Sequence, residues 1–122
     1  RTTILRKVMV IKMTVSSLLE IPDFSGLCIV DPQRKISGVY AGDLLSWVMG
    51  HASEGQCLIT IMSNVNVLAV SSLLDLSCVI LAESVEPDDE FLSLAKEKNI
   101  NVLKTTKSTY GACTVLYEEL KK

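Results

Sequence analysis

This chain of 122 residues is poorly supplied with the groups that carry most chemistry. It has one histidine, His51, and one tryptophan, Trp47. No G-x-x-x-x-G-K-[ST] phosphate loop is present, which argues against a P-loop kinase built on this chain alone. Ser46 lies about one turn ahead of His51, but it has no G-x-S-x-G elbow and no third partner. The four cysteines, Cys28, Cys57, Cys78 and Cys113, are widely spaced, without the C-x-x-C pairing that a zinc site wants. No metal site, no cofactor and no catalytic residue is expected. Each cysteine sits in an apolar stretch, where a thiol serves as a small buried hydrophobe in a reducing compartment. A cytoplasmic location is the corresponding expectation.

Positive charge is also scarce. The formal net charge is −2, and the isoelectric point is near 5.3. Arg34-Lys35 and Lys121-Lys122 are isolated pairs, and Arg6-Lys7 lies near the start of the chain. A nucleic-acid binder shows a clustered basic stripe, so no nucleic-acid partner is expected. The uncharged run from Gly55 to Leu74 is long enough to span a bilayer. Ser63, Asn64 and Asn66 interrupt it, however, between two different hydrophobic patterns. A strand, a turn and a helix explain it better, and no membrane partner is expected. Nor does the N-terminal stretch show the apolar core and cleavage site of a signal peptide.

Apolar residues are plentiful, at 48%, ample for one core. Charged residues, at 21%, fall below the roughly one quarter of ordinary soluble domains. That balance disfavours disorder and suggests a surface covered by a partner or a second copy.

From Thr14 onward helices and strands alternate. Thr14 caps a short helix through Glu20, stopped by Pro22. Strands are expected at residues 27–30, 36–40, 57–62, 78–81 and 100–103. Helices are expected from Asp43 to Met49, closed by Gly50, and from Asn64 to Leu76. The clearest helix follows Pro87, with Asp88, Asp89 and Glu90 first, Lys96 and Lys98 last, and Asn99 as a left-handed cap. A closing helix over 108–120 places Tyr110, Cys113, Tyr117 and Leu120 on one face. This order predicts an α/β fold of three layers, α/β/α, with a mostly parallel sheet of about five short strands. Residues 1–12 read as an N-terminal extension or an extra strand, with Met9 and Met13 as plausible starts. Residues 13–122 read as one domain.

In open parallel sheets ligands bind beyond the carboxyl ends of the strands. That rule gathers Gly38, Tyr40, Asp43, Asn64, Asn66 and Glu83 as candidate ligand-binding residues. Asp43, Ser63 and Asn64 also fit as plain helix caps, and Asn66 needs a partner if its helix start is buried. His51 fits a C-terminal cap. Leu44, Trp47 and Val48 share a helix that is apolar almost all round. They read either as core or as a dimer contact led by Trp47.

The run Ser37-Gly38-Val39-Tyr40-Ala41-Gly42-Asp43-Leu44-Leu45-Ser46-Trp47-Val48-Met49-Gly50 resembles the DRTGG domain family. So do Glu54-Gly55, Ile59-Thr60-Ile61, Asn64-Val65-Asn66, Ala69 to Asp75, Ile80 to Glu83, and Pro87-Asp88. The name-giving motif is altered: Gln33-Arg34, Ser37, Gly38 and Val39 stand at its positions. The resemblance implies a fold like the N-terminal domain of HPr kinase/phosphorylase without the kinase domain. It also implies a non-catalytic regulatory or interaction role as a homodimerising accessory module. Its implied partners are a second copy or another regulatory or redox protein. The alternative is a sensor for a nucleotide or phosphorylated metabolite bound at the strand ends.

Overall fold

The structure is a computed structural model and describes residues 13–122; the extension expected over residues 1–12 lies outside them. Helix α1 (Val15–Leu18) is closed by a reciprocal cap between Thr14 and Ser17. Strand β1 (Phe24–Cys28), strand β2 (Gly38–Ala41) and helix α2 (Leu45–His51) follow. Strand β3 (Gln56–Thr60), helix α3 (Asn66–Leu74), strand β4 (Cys78–Leu81), helix α4 (Asp89–Glu97), strand β5 (Val102–Thr105) and helix α5 (Thr109–Lys121) complete the order.

The five strands form one sheet in the order β1-β5-β4-β3-β2. Strands β2 to β5 are parallel neighbours, and β1 runs antiparallel along β5. The expected mostly parallel sheet is therefore present, with one antiparallel edge. Side chains alternate across it, as the strand period requires. Cys57, Ile59, Cys78, Ile80 and Leu103 face α1 and α5, where Leu18, Ala112 and Leu116 meet them. Leu58, Val79, Leu81 and Val102 face the other way, onto Val48 of α2, Val67 and Leu68 of α3, and Phe91 and Ala95 of α4. Helices cover both faces, as short continuous apolar strands demand.

The helix ends explain why the pattern breaks where it does. Asp88 accepts the Phe91 N–H at 2.9 Å and Ser108 accepts that of Gly111 at 3.0 Å, each satisfying an orphan donor of a first turn. Helix α3 ends at Asp75 (φ 55°) and α4 at Asn99 (φ 59°). In both, the N–H one residue later returns to a carbonyl of the last turn: Leu76 to Ser71 and Ile100 to Ala95. That is the left-handed stop, and Asn99 takes the role expected of it.

Several boundaries move. The first strand occupies 24–28 rather than 27–30, because its Phe24 side is held by Thr105 of β5 and its register slips between Gly26 and Cys28. The second and last strands also start two residues later than expected. Gly50 lies inside α2 instead of ending it; Ala52 closes the helix through the Val48 carbonyl.

Candidate functional site

The parallel strands β2 to β5 end together, so their exits share one rim. Register fixes this: Ala41 lies opposite Ile59, Thr60 opposite Leu81, and Leu81 opposite Lys104. Tyr40, Asp43, Asn64, Asn66 and Glu83 sit at or just beyond these ends. Strand order then limits what the rim can do. The strands advance 2, 3, 4, 5 across the sheet without reversal, and α2, α3 and α4 all pack on one face. Ligand crevices in such sheets open where strand order reverses, and β2 to β5 contain no such point.

The rim groups are also bound to one another. Asp43 is not the cap of α2; Leu44 holds that position without a side-chain bond. Instead, Asp43 Oδ1 accepts from Thr60 Oγ1 at 2.8 Å and from the Ile61 N–H at 2.9 Å. The carboxylate staples the exit of β2 to that of β3. Asn64 Oδ1 accepts the Asn66 N–H at 2.9 Å, opening α3, while Asn66 itself is exposed and needs no buried partner. Tyr40 is half-buried against the α2–α3 side of the core. Gly38 lies at the entry of β2, away from the rim, and a side chain there would meet only Gln56 at ordinary contact distance.

The exit of β4 is the unusual part. Glu83 (φ 61°) and Ser84 (φ 60°) are consecutive left-handed residues, a conformation costing of order 1–3 kcal/mol at each non-glycine residue. Two bonds impose it: the Glu83 N–H donates to the Lys107 carbonyl at 2.8 Å and the Ser84 N–H to the Thr105 carbonyl at 3.0 Å. The Glu83 carboxylate then accepts the Thr109 N–H at 3.4 Å, next to the positive end of α5. Lys107 pairs with Asp23 at 3.5 Å and Lys104 with Glu86 at 2.8 Å.

Apolar surface is concentrated elsewhere. On α2, Leu44 is 67% and Trp47 57% exposed, with Leu73 of neighbouring α3 at 73%. The Trp47 ring stacks on His51 at 4.0 Å, and His51 Nδ1 bonds the Trp47 carbonyl at 2.8 Å, the capping role expected of it. Val48 is fully buried, so it belongs to the core and not to a contact surface. Its neighbours face out because a helix inside the three-layer fold presents only one side to the sheet.

A second apolar surface lies beside the edge strand β2. Tyr110 (79% exposed) and Tyr117 (62%) join Leu120, Cys113, Val39 and Ala41 around an open groove of about 500 Å³. The apolar stripe of α5 thus points outward, and the small side of that helix, Ala112 with Leu116, is the one packed on the sheet. The stripe itself was readable in the sequence; its direction was not.

The cysteines are reduced thiols. Cys57 and Cys78 face each other across β3 and β4 and are fully buried. The Cys78 side chain and burial hold the Cys57 pKa well above its ordinary value. Burial also raises Cys28 and Cys113. Raised in this way, Cys28, Cys57 and Cys113 stay protonated near neutral pH, the state of a packing residue and not of a nucleophile. No group of three or more metal-ligating side chains is found among the described residues, and no helix among them is long and apolar enough to cross a membrane.

A sheet of this order, covered on both faces and carrying an altered motif at Gln33-Arg34, Ser37, Gly38 and Val39, defines a class of small α/β domains. The pattern of the DRTGG domain matches residues 1–118, and the chain belongs to that family. Among solved structures it is similar to the CBS and DRTGG domains of the regulatory region of Clostridium perfringens pyrophosphatase, complexed with its activator, diadenosine tetraphosphate. The TM-score is 0.66 at 20% identity, over 91% of this chain and 53% of that one. The chain therefore spans about half of that relative. No curated protein matches the sequence. Two residues at the motif positions do structural work here. Arg34 holds the Asp75 carboxylate at 3.1 Å and its carbonyl at 2.9 Å, and Ser37 Oγ donates to the Glu54 carbonyl at 3.2 Å. Both lie at the strand entries, opposite the rim.

Proposed function

We propose that this protein is a non-catalytic regulatory and interaction module that works as a homodimer through the α2–α3 surface. One observation carries the reading: Leu44, Trp47 and Leu73 expose large apolar side chains on two helices that pack against each other. Tryptophan is among the residues enriched at the hot spots of protein interfaces. The rim adds to the case because the side chains of Asp43, Asn64 and Glu83 are engaged in internal bonds. Light scattering at high micromolar concentration is expected to give twice the monomer mass. Trp47→Ala is expected to weaken association by about 2 kcal/mol, roughly thirtyfold, as loss of a central anchor does. A wild-type protein that stays monomeric overturns the reading.

A second reading is favoured by the strained Glu83-Ser84 pair, since residues held in costly conformations cluster at ligand clamps and switches. Here the strand-end rim senses a nucleotide-like molecule, the kind that the pyrophosphatase regulatory region binds. Diadenosine tetraphosphate at about 100 times its Kd should stabilise the fold by about 2.7 kcal/mol. An unchanged melting point across nucleotides and acyl phosphates removes this reading for those compounds.

A further inference from the structure

We propose that His51 sets the pH range of the α2–α3 pairing, an inference that rests on the homodimer reading: the pair forms with His51 neutral and comes apart as His51 takes up protons. The surface holds one titratable side chain. Helix α2 (Leu45–His51) and helix α3 (Asn66–Leu74) carry no acidic or basic group other than His51. Leu44, Trp47 and His51 follow at spacings of three and four residues, which sets them on one helix face. All three are exposed, so His51 belongs to the apolar patch itself.

Charges on the neighbouring segments are engaged elsewhere. Asp43, before α2, is held by Thr60 and the Ile61 N–H. Asp75, after α3, is paired with Arg34. Glu54, in the loop after α2, is exposed, and His51 joins no ion pair among the described residues. Strands β2 and β3 add no charged side chain; of their titratable groups only the Tyr40 phenol lies in the core on the α2 side.

The free chain accommodates both charge states of the ring. The Nδ1–H donates to the Trp47 carbonyl at 2.8 Å, which leaves Nε2 bare in the neutral imidazole. A proton taken up at Nε2 makes the ring a cation. That cation lies 4.0 Å from the Trp47 ring centroid, on a π-face that attracts it, and at the end of α2, where the helix dipole favours positive charge. Water reaches it as well. A second copy changes this balance. In a two-fold pair the same patch meets itself, so two His51 rings enter one apolar contact. A buried cation without an acidic partner is costly, and neither helix offers an acid. The pair therefore binds fewer protons than two free copies, and association weakens as pH falls. The limit is about a hundredfold in Kd per pH unit, tenfold for each of two protons released. The overall charge of the chain predicts the opposite sign. The isoelectric point is near 5.3, so acidification removes net charge, which favours association. Weakening in acid is thus the mark of a local group.

Sedimentation equilibrium of the full chain at about pH 7.5 and about pH 5.5, the span over which histidine titrates, tests this. Circular dichroism at both values shows that the fold persists. The dimer Kd is expected to be at least about tenfold higher in acid. His51→Gln, which gains no charge, is expected to remove the pH dependence whatever its own affinity. His51→Lys, a fixed charge, is expected to associate at least about tenfold more weakly than the wild type at neutral pH. A dimer whose Kd is unchanged or lower in acid overturns the inference and leaves the homodimer reading standing. So does a pH dependence that His51→Gln retains, or a His51→Lys variant that pairs as tightly as the wild type. A wild-type chain that is monomeric at high micromolar concentration at neutral pH overturns the homodimer reading, and the role of His51 with it.

Discussion

At the scale of single residues, the largest consequence attaches to Asn101. It is almost fully buried. Its Oδ1 accepts the Val30 and Asp31 N–H groups at 2.9 Å each, and its Nδ2 donates to the Asp31 and Ser77 carbonyls at 3.0 and 3.2 Å. One amide thus ties the exit of β1, the end of α3's loop and the entry of β5 together. Asn101→Leu keeps the volume and takes the side-chain partner from the Val30 and Asp31 N–H groups and the Ser77 carbonyl, while the Asp31 carbonyl keeps the Arg34 N–H at 3.2 Å. The expected cost is about 2–4 kcal/mol, from desolvated groups at 1–3 kcal/mol each that partly relax, measured as a lower urea midpoint with an unchanged slope. The sequence held the signal, a lone amide inside Ile100-Asn101-Val102-Leu103. Attention to strand exits passed over it because it lies at a strand entry. Asp43 shows the converse. Its position at the rim was legible, but its role as a staple was not, because Thr60 and Ile61 come beside it only through the pairing of β2 with β3. Val48 was inseparable from Leu44 and Trp47 by composition; only the angle at which α2 meets the sheet divides them.

Elements with their own punctuation were easiest to read. Helix α4 has its acids first, its bases last and an asparagine stop, and it lies where these signals put it. Strands β2 and β5 were read two residues early and β1 three residues late, because an apolar run says that a segment is buried and not where pairing begins. Helix α5 displays an apolar stripe, yet the sheet takes its smaller side, since Ala112 lets the helix approach closely while the tyrosines would hold it off. The turn after β4 was invisible, because no glycine marks Glu83 or Ser84. That turn supplies a prediction at this scale. Ser84→Val puts a β-branched residue at φ 60°, where such side chains are true outliers, and should destabilise by about 1–2 kcal/mol more than Ser84→Ala does. Equal losses from the two variants in chemical denaturation would mean that the turn relaxes and stores no strain.

For the whole molecule, stability and assembly become one measurement. The α2–α3 surface is apolar and exposed, and the side chains of Leu44, Trp47 and Leu73 make none of the bonds that close the strand ends, so a second copy could seat there without breaking them. If the folded chain pairs and the unfolded chain does not, mass action ties the melting point to concentration. Each tenfold rise in protein adds up to about 1.4 kcal/mol per dimer, roughly a few degrees for a domain of this length. If Trp47 anchors such a pair, Trp47→Ala should flatten that slope with little cost to the core, since its ring rests on His51 at the surface. A melting point that ignores concentration in the wild type, or that falls equally at all concentrations in the variant, would make Trp47 a residue of the fold and not of an interface. The α2–α3 surface would then have no second copy to explain its exposure.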